Sequence, residues 1–259
     1  MRSFITALQF LTRIHLVKQE DLTAEDFGRS TRFFPLVGAV LGCLYLLAAL
    51  GCLALLGGLP SYTAKAILVI LPILLTGGLH CDGFMDAVDG LFSGRSRERM
   101  LEIMKDSRAG SFGVVAFGSI LLLDWSLLLD LPAPVLLIAV FVMPVIGRMA
   151  MLFAVAHFPY ARSSGMGQAF SEAADRRAVV IGLVTSLVFV APWGIAAIAA
   201  LLAGLAFAFV FGRYATAKLG GLTGDVYGAI ELMTETLVLI VFFLFAVLPF
   251  DRTGCFLWM

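Results

Sequence analysis

Apolar runs of bilayer-crossing length recur along the whole chain, near residues 33–59, 62–79, 111–131, 133–157, 178–192, 194–211 and 230–250. A hydrocarbon core about 30 Å thick requires about 20 apolar residues per helix. Seven such runs therefore predict an all-α, polytopic integral membrane helix bundle of about seven transmembrane helices. Composition agrees, since a chain that is 61% hydrophobic and only 14% charged cannot cover the surface of a soluble domain of this size. Asp124 interrupts the third run, and only Pro192 and Trp193 part the fifth from the sixth.

The N-terminal stretch MRSFITALQFLTRIHL is broken by Arg13 and His15 and is followed by no small-residue cleavage site, so it does not read as a signal peptide. Arg2, Thr6, Gln9 and Arg13 form one polar stripe, with Phe4, Leu8 and Leu11 on another face. That pattern predicts an N-terminal interfacial helix. No polar segment is long enough for a separate soluble unit, so residues 1–259 are expected to form a single membrane-embedded catalytic domain.

Lys and Arg follow the runs. Residues 1–32 carry five, 80–110 five, 158–177 three and 212–229 two, which is 15 of the 18 in the chain. The alternate loops at 60–61, 132 and 193 carry none. Because cytoplasmic loops retain positive charge, this predicts a multi-pass protein of the cytoplasmic (inner) membrane, with its N-terminus and active site on the cytoplasmic side and its C-terminus outside. The net charge is zero, and nothing points to a nucleic-acid partner. Cys43, Cys52, Cys81 and Cys255 form no CxxC pair or metal-ligand spacing and read as small packing residues.

Against this apolar background the segment GGLHCDGFMDAVDGLFSGRSRERMLEIMKDSRAGSFG, residues 77–113, stands out. Asp82, Asp86 and Asp89 are spaced i, i+4, i+7, which on a helix aligns three mutually repelling carboxylates within about two turns. A hard divalent cation, Mg²⁺ or Mn²⁺, would offset that repulsion, and Gly83 and Gly90 would leave the ligand surface uncrowded. A second acidic group lies in GGLTGDVYGAIELMTE, with Asp225 in a glycine-rich loop and Glu231 and Glu235 at the start of the last run. Arg148 lies about 22 Å along its helix, near the same end, where it could pair with a carboxylate or clamp a phosphate. Metal-holding carboxylates beside Lys105, Arg108 and the Arg95–Arg99 run are what phosphoryl transfer requires.

These residues resemble the cobalamin synthase (adenosylcobinamide-GDP ribazoletransferase) family. TRFFPLVG, GGLHCDGFMDAVDG, RMLEIMKDSRAGSFG, ARSSGMG and GGLTGDVYGAIEL occur in the family's order over nearly the whole chain. The resemblance implies Mg²⁺-dependent attack of a ribose hydroxyl of alpha-ribazole, or of its phosphate, on adenosylcobinamide-GDP, with release of GMP. By position it implies Asp82, Asp86 and Asp89 as metal ligands and Asp225 and Glu231 completing the site or orienting the nucleophile. It further implies Arg32, Lys105, Arg108 and Arg148 as substrate contacts, and His80 as base, substrate ligand or helix-end hydrogen bonder. Expected partners are the two substrates, the bilayer, and a second copy of the chain or other cobamide-assembly enzymes. A CDP-alcohol phosphotransferase is the nearest alternative, but Asp86 occupies the Ala position of its motif. A cation transporter would need carboxylates at mid-membrane.

Overall fold

A computed structural model describes residues 2–18, 22–55, 61–106, 108–163 and 166–248. The helices are α1 (Arg2–Leu11), α2 (Ala24–Ser30), α3 (Phe34–Leu55), α4 (Tyr62–Thr76), α5 (Leu79–Leu91), α6 (Arg97–Ile103), α7 (Ser111–Asp130), α8 (Ala133–His157), α9 (Met166–Ala173), α10 (Arg176–Val190), α11 (Ile195–Leu219) and α12 (Gly224–Val247). A 3-10 turn over Thr31–Phe33 continues α2 into α3, and another over Ala191–Trp193 links α10 to α11. Among the described residues six helices are long and apolar enough to cross a membrane, or seven with the bent pair α4–α5, so the chain is a polytopic membrane helix bundle.

The bundle is organised around α8. Its most apolar window is 94% buried, against 17% for α7, so α8 is enclosed by protein while α7 presents most of its surface to lipid. Helices in lipid gain little from burying apolar surface and associate through close packing. Gly38 and Gly42 of α3 supply that closeness: a Cβ at either would collide with the α8 backbone, at the carbonyls of Pro144 and Phe141 respectively. Gly204 of α11 meets Thr234 and Ile146, and Gly147 of α8 meets Glu231 and Glu235 of α12 in the same manner.

Four expectations about the segments are corrected. The second run is not one straight span: α4 has 15 residues, about 22 Å, short of the hydrocarbon thickness. It ends at Gly77 and Gly78, whose φ values of 66° and 75° are left-handed, and the chain turns by 91° into α5. The fifth helix starts at Arg176, because Asp175 caps it through Ala178 N–H at 2.8 Å. The sixth continues to Leu219 rather than 211. The last begins at Gly224 rather than 230, because the Thr223 hydroxyl caps it through Val226 N–H at 3.3 Å. The expected ends at 59 and 250, and Cys255, lie outside the described residues.

Helix α1 forms, but Thr6 of the expected polar stripe is buried and bonds the Arg2 carbonyl, and Arg13 lies beyond the helix end. Cys43, Cys52 and Cys81 are free thiols.

Candidate active site

One end of the bundle gathers the short elements. Arg97 of α6 donates to the carbonyls of Leu219 (2.7 Å) and Ala161 (3.3 Å), and Lys218 donates to the Leu91 carbonyl (3.3 Å). These bonds tie α5, α6, the 158–163 connection and the end of α11 into one rim. Part of the basic charge that marks these loops is therefore spent on helix C-termini, where cations complement orphan carbonyls.

The aspartate stripe lies on α5, with Asp82 exposed and Asp86 and Asp89 half-buried. A Cβ at Gly83 would sit 3.0 Å from the Asp225 carbonyl oxygen, and one at Gly228 would sit 3.4 Å from His80. The two glycines let α5 and α12 cross closely, which brings Asp225 beside Asp82 and Asp86. Gly83 also lines the cavity described below, as expected of a residue that leaves a ligand surface uncrowded, whereas the expected role of Gly90 is corrected: it receives the Met104 side chain.

Asp225 stands in the first turn of α12, not in a loop. It accepts from Arg162 at 2.8 Å and from the Thr223 hydroxyl at 3.1 Å. A cavity of about 370 Å³ opens here, lined on its polar side by His80, Asp82, Lys105, Arg162 and Asp225 and on its apolar side by Phe10, Phe34, Phe170 and Val155. Tyr160 and Tyr227, stacked with centroids 6.4 Å apart, complete the wall. Arg162, Tyr160 and Tyr227 were not singled out from sequence as site residues. Arg162 entered only in the count of basic residues, although its place in ARSSGMG, inside a conspicuous polar segment, was the available signal.

The other expected residues distribute unevenly. Asp86, Asp89 and Arg108 line a neighbouring cleft of about 250 Å³. There Arg108 is engaged by Asp106 in a two-pronged pair at 3.0 and 2.8 Å, and these hydrogen bonds hold the Asp106 carboxyl down at about 2. Arg32 is not with the aspartates: its guanidinium stands 5.3 Å from the Phe33 ring, in a separate cleft with Arg29, Asp175 and Arg177.

Of the two roles expected of Arg148, pairing with a carboxylate is the one that forms, and the placing of Glu231 beside the aspartates is corrected. Arg148 is 1% exposed, lies 2.6 Å from Glu231 as a charge contact and donates to Glu235 at 2.8 Å. It is consumed by an internal ion triad and does not face the 370 Å³ cavity. Glu231 lies about 9 Å below Asp225 along α12, because the helix starts earlier than expected and rises 1.5 Å per residue. A small cavity of about 40 Å³ adjoins the triad and is also lined by Asp124, so that carboxylate faces the protein interior. His80, 4% exposed, lines both cavities, with Nδ1 3.8 Å from Glu231 and Nε2 without a hydrogen-bond partner among the described residues.

Among the described residues no three His, Cys, Asp or Glu side chains converge as a ready metal cage. Asp89 accepts from the backbone N–H groups of Gly110 (2.8 Å) and Gly113 (2.9 Å), and Asp225 is held by Arg162. Asp82 and Asp86 carry no ion pair among the described residues, leaving two uncompensated hard oxygen donors one turn apart. Such a set fits Mg²⁺, which is commonly held by one or two carboxylates, water and substrate phosphate oxygens.

The sequence profile of the family described as "Cobalamin-5-phosphate synthase" matches residues 3–243. A protein of Desulfitobacterium hafniense (strain Y51), "Adenosylcobinamide-GDP ribazoletransferase", is 42% identical over 93% of this chain and 96% of its own length. Proteins with the same description from Clostridium acetobutylicum (34% identical, 96% of this chain and 98% of theirs) and Pseudomonas syringae pv. syringae (38%, 93% and 98%) are similar throughout. No solved structure matches.

Proposed function

From the premise that this chain belongs to the cobalamin-5-phosphate synthase family, we propose that it carries out the reaction for which its relatives are named, as a membrane-embedded adenosylcobinamide-GDP ribazoletransferase. A whole-chain match of this kind displaces the CDP-alcohol phosphotransferase and the cation transporter. The observation that carries the reading is the juxtaposition of Asp82 with Lys105 and the Arg162–Asp225 pair around one cavity, with Asp86 one turn further along α5 in the adjoining cleft. That is the charge pattern phosphoryl transfer needs, with anionic oxygens for a metal and cations for phosphate.

The ribose hydroxyl of alpha-ribazole or its phosphate forms a bond to the cobinamide-linked phosphorus of adenosylcobinamide-GDP. The bond from that phosphorus to the bridging oxygen breaks, GMP leaves with the electron pair, and the hydroxyl proton is released. Asp82 and Asp86 would hold Mg²⁺, which supplies charge neutralisation on the diphosphate. Lys105 and Arg162 neutralise phosphate oxygens that enter the cavity. Arg162 also holds Asp225 in place, and Asp225 orients the attacking hydroxyl. His80 Nε2, which has no hydrogen-bond partner among the described residues, is a further group on the same wall able to accept that hydroxyl's hydrogen bond. The aromatic and aliphatic wall suits a planar base.

The site faces the cytoplasm across the inner membrane, because 15 of the 18 Lys and Arg fall in the connections, short helices and helix ends assigned to one side of the seven-crossing order. Incubating the purified protein in lipid with adenosylcobinamide-GDP, alpha-ribazole phosphate and Mg²⁺ should yield GMP and a cobamide in equal amounts. Failure to form either product would overturn the assignment. A reporter active only outside the cell should stay silent when inserted between residues 95 and 105.

A further inference from the structure

Asp82 faces a second space as well. A cavity of about 590 Å³ lies on the other side of Phe10, Leu79 and Asp82, which line both, and its far wall carries Gln9, Thr12, Arg13 and His15. Its volume lies within the range of about 300–1,000 Å³ typical of small-molecule sites.

The chain places Arg13 there deliberately. The Arg13 backbone N–H donates to the Leu75 carbonyl at 2.7 Å, fastening the strap after α1 to the end of α4. Its guanidinium lies across Gly77, where any Cβ would collide with Arg13 Nε, so the bend glycine leaves the space this side chain occupies. The strap is pinned further by Gln9, whose Oε1 accepts from the N–H groups of Leu16 and Val17, both at 3.0 Å, and by His15, whose Nδ1 lies 3.0 Å from the Arg13 carbonyl. Among the described residues no carboxylate pairs with Arg13, and the only acidic side chain on the cavity wall is Asp82. A positioned guanidinium without a counter-ion, facing a space that ends at the proposed metal ligand, is an anion site in search of its anion.

Displacement at phosphorus runs in line, with nucleophile and leaving group on opposite sides. Two cavities meeting at Asp82 supply two sides. The 370 Å³ cavity carries two cations, Lys105 and Arg162, suited to the nucleoside diphosphate, whereas the 590 Å³ cavity carries Arg13 and His15. We propose that the cavity between α1, the α4–α5 bend and α7 is the acceptor subsite, and that Arg13, assisted by His15, binds the 5′-phosphate of the acceptor nucleotide. Arg13 then sets the preference for a phosphorylated over an unphosphorylated acceptor. This assignment rests on the ribazoletransferase reading.

The test compares parent, Arg13→Gln, Arg13→Lys and His15→Gln proteins, full-length in lipid, with alpha-ribazole 5′-phosphate and alpha-ribazole as paired acceptors. Losing a charged hydrogen bond to phosphate should raise KM for the phosphorylated acceptor on the order of 10–10²-fold in Arg13→Gln. KM for alpha-ribazole and for adenosylcobinamide-GDP should stay at parental values, and Arg13→Lys should recover part of the loss. Calorimetric binding of alpha-ribazole phosphate without the second substrate gives the same comparison independently of turnover, and His15→Gln repeats it should Arg13→Gln misfold. An equal loss on both acceptors, a rise in KM for the GDP substrate alone, or unchanged binding in Arg13→Gln would overturn the subsite. A parent that binds alpha-ribazole phosphate in an Arg13-dependent way yet turns over neither acceptor would instead overturn the ribazoletransferase reading and leave the subsite standing.

Discussion

Asp89 on α5 accepts the backbone N–H of Gly110 at 2.8 Å, at the start of α7, and reaches the Gly113 N–H at 2.9 Å as well. Gly110 is the N-cap of α7 and has no side chain with which to cap it, so a carboxylate from another helix performs that task. Asp89→Ala should therefore lower stability by about 1 kcal/mol, the usual cost of a lost cap. By the scaling of globular domains that is a fall of roughly 2–4 °C in Tm, visible even without divalent metal. If Asp89 were a metal ligand only, the metal-free Tm would not fall.

Asp82→Asn should behave in the opposite way. Its carboxylate caps no helix among the described residues, so folding should survive while turnover drops by at least about 10²-fold, the scale for losing one preorganised charge-stabilising group. Mg²⁺ should raise the Tm of the parent with concentration and that of the variant less. Parental activity and a parental Mg²⁺ response in Asp82→Asn would rule out the metal assignment.

Arg148→Met should destabilise strongly, by about 3–5 kcal/mol, because it strands Glu231 and Glu235 in the interior without a countercharge. Adding Glu231→Gln and Glu235→Gln should recover much of the loss. Thermal unfolding of the single and triple variants checks this. A well-folded Arg148→Met whose only defect is a raised substrate KM would restore the phosphate-contact role that its pairing argues against.

Gly38→Val should prevent the close approach of α3 to α8, since its Cβ would meet the Pro144 carbonyl, a backbone atom that cannot swing aside. The expected outcome is loss of monodisperse protein in detergent. Gly51→Ala, at a position where nothing lies within 4 Å, should be neutral or stabilise by about 0.5–1 kcal/mol. Size-exclusion profiles of the two variants make the comparison.

The family resemblance was legible in residues 77–113 and their companion motifs because those residues carry chemistry in their own side chains. The same was true of the bundle as a class: apolar length alone dictates a membrane helix, since a bilayer satisfies no backbone polar group. The close crossing at Gly83, the choice of partners for Arg148 and the depth of Glu231 were not legible. Each depends on which helix lies opposite, and a hydropathy pattern that is apolar all round, as in α8, does not say which neighbour each face meets. Helix ends had the same difficulty. The apolar run opens near 230, but the Thr223 cap starts α12 at Gly224, and that shift moves Asp225 into the helix and carries Glu231 below the site. By itself, then, the sequence determined the membrane class, the order of the crossings and the acidic and basic residues from which any phosphoryl-transfer site had to be drawn. Only the tertiary structure decided which of those charges are spent on caps and internal pairs and which remain free, because a charge acquires a role from its nearest counter-charge, and that distance is set by packing between segments far apart in the chain.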